Sequence, residues 1–189
     1  MASTPSTAPS NLSLDRVLKT LIPNKITLGT YGMQGIASLG PGWVSPNDRH
    51  QLTIVLGYSP SDDLTEDIYH LGAKYHFRPI AIRVPIADHD LQWKLFNLGA
   101  GLQYSKNKNL FSTLPAHYPN SYYSPTARRL LAIIGTGLKH KRLELFVNFV
   151  IDDIGLAAYV HNTDFFIQNY NFFGLEGVGS LEFRVNYDL

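Results

Sequence analysis

Hydrophobic and polar residues alternate along most of the chain from residue 26 onward. The pattern is clearest in residues 67–78, 94–104 and 142–152. Because successive side chains of a β-strand point to opposite faces, each stretch predicts a strand with one apolar and one polar face. Each is about 10 residues or longer, the length of a tilted strand that crosses a bilayer core, whereas strands of soluble sandwiches are nearer five or six.

The same period predicts strands over most of the remaining chain. They fall at about 26–39, 51–59, 67–83, 91–106, 127–140, 142–152 continuing toward 161, and 174–189. These are seven runs, whereas bacterial single-chain barrels have an even number of strands. Either 26–44 contains two strands, or 142–161 breaks at the Asp152-Asp153 pair. We expect eight strands, with ten as the alternative, and a connection or edge irregularity at the proline-containing segment 79–90.

The first 22 residues follow other patterns. Residues 1–11 are small and polar and lack the basic-then-apolar pattern of an export signal, so we expect a flexible leader. Within 12–22, apolar residues recur at helical spacing from Leu14, with Ser13 as N-cap and Pro23 as the stop. This predicts a short amphipathic helix that plugs a barrel mouth, lies on a membrane, or packs on the domain.

Composition excludes several classes of protein. Charged residues make up 16% and aromatic residues 12% of the 189 residues, which argues against disorder. A formal net charge of +1 gives no field for binding nucleic acid. The absence of cysteine excludes disulfides and thiolate metal sites. Apolar runs such as 130–134 are far below the roughly 18 residues of a transmembrane helix, so any membrane would be crossed by strands.

Alternation alone does not say which face points inward. A soluble lipocalin-like carrier and a membrane barrel show the same alternation, but the apolar face points inward in the carrier and outward in the membrane barrel. Here the polar positions are rich in glycine and small amides, and the apolar faces begin or end with tyrosine or phenylalanine, as in a lipid-facing band with aromatic girdles. We therefore predict that residues 23–189 form an all-β domain, an antiparallel up-and-down transmembrane β-barrel.

The last strand carries a family resemblance. Apolar residues occupy every second position from Leu181 to Leu189, with Tyr187 third from the end. This resembles the final strand of bacterial outer-membrane β-barrel proteins, although Leu189 stands where a phenylalanine is commoner. The resemblance implies a Gram-negative outer membrane as location, a signal peptide already removed, and recognition of this strand by the barrel-assembly machinery.

Connection lengths orient the predicted barrel. The tight connection at 138–143 predicts the periplasmic side, and the long segments 106–126 and 161–173 predict the external side. Tyrosines in the first long segment suit ligand contact or interfacial anchoring, and its arginines suit lipopolysaccharide phosphates. The candidate loop contacts are His117, Tyr118, Tyr122, Tyr123, Arg128 and Arg129.

An eight-stranded barrel has an interior that side chains just fill. The inward candidates carry both charge signs in similar number, so we expect them to pair across the lumen as a hydrogen-bonded plug. A narrow polar conduit or a small-ligand site is the alternative. The candidates are His70, Lys74, His76, Arg78, Glu144, Asn148, Asp152, Glu182 and Arg184.

No metal or cofactor is expected from the sequence. His70 and His76 share a face but lie about 20 Å apart along an extended strand, too far to hold one ion. There is no glycine loop of the kind that binds phosphate.

One segment suggests an enzyme. His161 and Thr163 are two residues apart, hence on one face of a strand, and Glu176 follows thirteen residues after Thr163. The set resembles that of outer-membrane lipid A deacylases, which have a His-x-Ser pair and a later glutamate. The resemblance implies Thr163 as nucleophile, His161 as base and Glu176 as the orienting carboxylate. Threonine in place of serine, and Asp164 in place of the usual asparagine, depart from the family pattern.

Three functions follow as hypotheses. The first is a non-enzymatic outer-membrane barrel with a structural or surface-interaction role, a plugged polar lumen, and loops that contact lipid, lipopolysaccharide or another protein. The second is a lipid A acyl-ester hydrolase, and the third is a soluble lipocalin-like carrier.

Overall fold

The computed structural model describes residues 21–60, 66–86, 89–108, 110–113, 125, 127–169 and 179–189. The strands in these ranges are β1 (Lys25–Tyr31), β2 (Ala37–Val44), β3 (His50–Ser59), β4 (Ile68–Phe77), β5 (Ala81–Ile86), β6 (His89–Lys106), β7 (Arg128–His140), β8 (Leu143–Asp152) and β9 (Gly179–Asp188). The helices are α1 (Asp153–His161) and α2 (Thr163–Asn169). The predicted leader and most of the predicted helix at 12–22 lie outside the described residues.

Eight of the strands close into an antiparallel barrel. The order around it is β1, β2, β3, β4, β6, β7, β8 and β9, and β9 pairs back onto β1. The ninth strand, β5, pairs only with the first part of β6 among the described residues. The predicted eight-stranded antiparallel barrel is therefore confirmed, with one extra strand at 81–86.

Two of the seven predicted runs each contain two strands. The run at 26–39, extended to 44 as one of the two alternatives required, contains β1 and β2, and residues 32–36 connect them. The run 67–83 is divided where β4 ends at Phe77, and β5 begins after Pro79. Because proline has no N–H for a sheet ladder, its place between two strands is physically expected.

The connections differ in length at the two ends of the barrel. Residues 45–49 and 141–142 make tight connections at the end that we call the short-turn end. Residues 60–67, 107–127 and 153–178 make long connections at the opposite end, the long-connection end, where the short β1–β2 connection also lies. The predicted tight connection at 138–143 and the predicted long segments thus lie at opposite ends. Within the described ranges, no helix has the length and apolar character needed to span a membrane.

Side chains alternate between the two faces of the barrel wall. Along β8, Glu144, Phe146 and Asn148 are buried while Leu145 and Val147 are exposed. The polar faces of 67–78, 94–104 and 142–152 point into the interior in the same way. The barrel is therefore largely polar inside and apolar outside, the reverse of a soluble globular domain.

The prediction that strand 142–152 continues toward residue 161 is wrong. β8 ends at Asp152 and α1 begins at Asp153. The Asp152 carboxylate accepts a 2.6 Å hydrogen bond from the backbone N–H of Gly155, three residues on. This is the geometry of a helix N-cap, and the cap ends the alternating pattern.

Candidate functional site: the barrel interior

The interior contains many polar and charged side chains. Lys74, Lys94, His76, Glu144 and Arg184 each have no more than 2% of their surface exposed. Burying a charge is costly unless it is paired or hydrogen-bonded. The contacts these side chains make therefore decide what the interior can do.

One ion pair crosses the middle of the lumen. Lys74 on β4 donates to the Glu182 carboxylate on β9. These strands are four places apart in a ring of eight, so the pair joins opposite walls. Asn148 on β8 donates to the second carboxylate oxygen of Glu182 at 2.7 Å, and Asn97 on β6 donates to Asn148 at 2.7 Å. The bonds form a continuous belt across the barrel.

A second contact crosses the lumen two residues further along β4 and β9, nearer the short-turn end. Arg184 on β9 donates to Nε2 of His76 on β4. An arginine cannot accept a hydrogen bond, so this ring nitrogen carries no proton. Arg184 and Arg78 also place their guanidinium groups over the Phe146 ring, each 4.7 Å from its centroid. Phe146 is thus an aromatic partner for two buried cations.

Four cations surround one carboxylate at the short-turn end. Asp48, on the β2–β3 turn, lies 2.5 Å from Lys94, 3.3 Å from Arg78, 3.3 Å from Lys139 and 3.7 Å from Lys25. We call these four side chains the cation ring. Burial and the nearby Glu144 carboxylate raise the pKa of Asp48, but the bond from Lys94 and the ring charges outweigh them and hold it below its ordinary value.

Two further carboxylates lie beside the cation ring. Glu144 contacts Lys25 at 2.6 Å and Lys139 at 3.4 Å. Asp188, at the end of β9, contacts Lys139 at 2.9 Å and Lys25 at 3.0 Å. The short-turn end of the lumen is therefore filled by ionic contacts.

The long-connection end is closed differently. The β1–β2 connection folds inward, with φ of 61° at Tyr31, the last residue of β1, and 68° at Met33, conformations that non-glycine residues rarely adopt. Met33 packs against the buried apolar residues Leu131, Ile133 and Val150. Its backbone carbonyl accepts a 2.6 Å bond from the Gln103 side chain. The strained connection is thus anchored inside the lumen.

The predicted lumen residues are all buried, but they do not form one network. Lys74, Asn148 and Glu182 belong to the central belt. His70 instead hydrogen-bonds Ser59 and Ser105, both at 2.8 Å, nearer the long-connection end. Asp152 pairs with Arg129 at 3.3 Å and caps α1. His76, Arg78, Glu144 and Arg184 make the contacts described above.

The predicted catalytic residues His161 and Thr163 do not lie on a strand. The premise that His161 and Thr163 share a strand face is wrong, because His161 ends α1 and Thr163 begins α2. The exposed Thr163 hydroxyl donates to the Tyr159 carbonyl at 3.1 Å. The side chain of His161 and the whole of Glu176 lie outside the described residues.

Of the six predicted loop contacts, only two arginines are described. Arg128 is exposed, and Arg129 also donates to the carbonyls of Pro125 and Arg128 at 3.2 and 3.1 Å. His117, Tyr118, Tyr122 and Tyr123 lie outside the described residues.

Of the cation ring, the sequence predicted Arg78 as a lumen residue but missed Lys25, Lys94, Lys139 and the Asp48 carboxylate. Lys139 lies on the inward phase of β7, so strict application of the alternation would have found it. Lys94 has the same parity as the outward Leu98 and Leu102, and it points inward because the strand register shifts between Lys94 and Asn97, a bulge that the alternation does not predict. Asp48 lies in a turn, where no period indicates direction. Its position depends on the folded turn.

The comparisons with known proteins give no relatives. No protein-family model, no curated protein and no solved structure matches the chain. Among the described residues, no group of three or more histidines or acids is placed to hold a metal ion.

Proposed function

We propose that this chain is a membrane-spanning barrel of a bacterial outer membrane, with a closed polar interior and a surface-contact role at its long-connection end. The observation that carries the proposal is the apolar outer wall. Leu56, Leu102 and Leu130 point outward with 64%, 61% and 58% of their surface exposed. Large apolar side chains this exposed in every part of a wall favour hydrocarbon as the surrounding medium.

Aromatic side chains at both ends of the wall support the same proposal. Tyr69 and Tyr104 face outward near the long-connection end, and Tyr75, Trp93 and Tyr187 near the short-turn end. Mostly aliphatic side chains, together with Phe96 and Phe183, occupy the positions between them. Aromatic belts around an apolar band are typical of barrels placed across two membrane–water interfaces.

The polarity of the interior disfavours the soluble carrier. A carrier of the lipocalin type needs an apolar cavity, whereas the centre of this lumen contains Lys74, Glu182 and Arg184. The cross-lumen contacts also favour a closed barrel over an open channel.

A groove on the outer wall supports contact with lipid. It has a volume of about 660 Å³, with an apolar floor that includes Leu71, Leu102 and Leu130. Arg128 lies at its margin near the long-connection end. Apolar residues of the helices, among them Val160 and Ile167, are also exposed at that end. The hydrolase stays a prediction that no contact among the described residues favours.

The test compares arginine at two outward positions. Leu102 lies near the middle of the wall, opposite Ala73, and Tyr69 lies near one end. In phospholipid vesicles, the arginine charge should lower the free energy of unfolding by about 2–4 kcal/mol in Leu102→Arg and by about 0–1 kcal/mol in Tyr69→Arg. Urea-induced unfolding followed by tryptophan fluorescence measures both.

A second readout makes the test decisive. The wild-type chain should require detergent or vesicles to stay dispersed and should migrate differently on a denaturing gel before and after boiling. A monomer in plain buffer, unaffected by Leu102→Arg, would refute the membrane proposal.

A further inference from the structure

The cation ring surrounds the Asp48 carboxylate as the cationic side chains of a binding site surround a bound anion. Four cationic groups lie within 4 Å of one carboxylate, and three of the four side chains are almost fully buried. Such convergence exceeds what a single surface ion pair requires. The ring therefore has the form of an anion site with an occupant.

The ring and its occupant come from different parts of the fold. Lys25, Lys94 and Lys139 project from strands of the barrel wall, and Arg78 directly follows β4. Asp48 is carried by the turn 45–49, with a φ of 56° that non-glycine residues rarely adopt. Its backbone N–H bonds Ser45 within the same turn at 2.8 Å. The wall thus builds the ring, and a separate turn fills it.

Without Asp48, the cation ring has too little negative charge beside it. Four cations face two remaining carboxylates, Glu144 and Asp188, so four minus two leaves two positive charges. An uncompensated buried charge is strongly unfavourable. A small anion is the simplest compensation.

We propose that the cation ring is a binding site for small oxyanions of the carboxylate class, and that Asp48 is its tethered occupant. The tether gives the Asp48 carboxylate a high effective concentration, so a soluble anion does not displace it from the intact protein under ordinary conditions. Removing this one carboxylate opens the site to formate. The proposal does not depend on the membrane function, because the ring lies inside the barrel and its response is measured in micelles.

The experiment is chemical rescue of Asp48→Ala. In detergent micelles with chloride as the only added anion, the substitution should lower the heat-unfolding midpoint by roughly 10 °C. Sodium formate, compared with sodium chloride at equal ionic strength, should restore at least half of that loss along a saturable curve. Asp90→Ala is the matched control, because Asp90 is an exposed carboxylate at the same end of the barrel.

The outcomes separate the site from a general salt effect. A formate response in Asp48→Ala that is absent in the wild type and in Asp90→Ala supports the proposal. Equal responses to formate and chloride, or equal responses in all three proteins, overturn it. Should Asp48→Ala not refold in chloride, refolding yield becomes the readout: recovery with formate supports the site, and no recovery overturns it. The double variant Asp48→Ala/Lys94→Met should show a weaker formate response.

Discussion

Lys74 and Glu182 meet at the centre of the barrel, where neither side chain reaches solvent. Both charges have lost their water, and their mutual attraction with the bond from Asn148 offsets that loss. At this scale the interior is stabilised by specific side-chain partners.

Removing one member of this pair should therefore be costly. Lys74→Met leaves the Glu182 carboxylate buried without its cation, and we expect a loss of about 3–5 kcal/mol in the free energy of unfolding. Urea unfolding in micelles measures it. Lys106→Met removes an exposed lysine and should have little effect.

The double variant Lys74→Met/Glu182→Gln isolates the pair. It removes both charges and keeps a side chain for Asn148 to bond, so most of the lost stability should return. If the double variant is as unstable as Lys74→Met, the loss reflects packing and the ionic account is wrong.

At the scale of the element, β2 depends on two adjacent residues. Its ladder with β3 is formed at Ala37–Leu39 and at 42–44, and Gly40 and Pro41 between them do not pair with β3. A Cβ on Gly40 would overlap the backbone carbonyl of Ile54. Pro41 has no N–H to donate to the ladder. The two strands approach closely here because glycine has no side chain.

Gly40→Ala should consequently destabilise the barrel. The obstructing group is backbone, so β2 and β3 must separate, and we expect a loss of about 1–3 kcal/mol or more. Gly42→Ala is the control on the same face of the same strand, where the nearest atom, 3.3 Å away, is the end of the Gln51 side chain and not backbone. Equal losses in the two variants would contradict this explanation; urea unfolding decides.

At the scale of the whole molecule, the two ends are closed by different means. The cation ring with Asp48 fills the short-turn end, and the inward β1–β2 connection with Met33 fills the other. Between them the central belt joins opposite walls. A barrel of eight strands has no spare width to pass ions around these contacts.

Reconstituted barrel should accordingly not conduct. An ion-sensitive dye is trapped inside vesicles that contain the wild-type protein, and ions are added outside. The dye signal should stay as constant as in protein-free vesicles, because the lumen offers no continuous water path. A porin reconstituted in parallel shows that leakage is detectable. Stable single-channel steps from the wild-type protein in a planar bilayer would contradict a closed interior.

The sequence by itself determined the barrel and the direction of its side chains. A strand period of two is local, so the alternation in residues 67–78 and 142–152 was enough to assign His76 and Asn148 to one face and Tyr75 and Val147 to the other. It also placed the tight and the long connections at opposite ends. Composition then favoured the polar face as the inner one.

Only the tertiary structure decided which inward residues meet. Lys74 and Glu182 are 108 residues apart, and their contact depends on strand order and register, which no local pattern contains. Asp48 belongs to a turn without a period, and at Asp152 the predicted strand gives way to a helix whose N-cap bond joins the Asp152 carboxylate to Gly155. The direction of a side chain is a property of its own strand, but its partner is a property of the closed barrel.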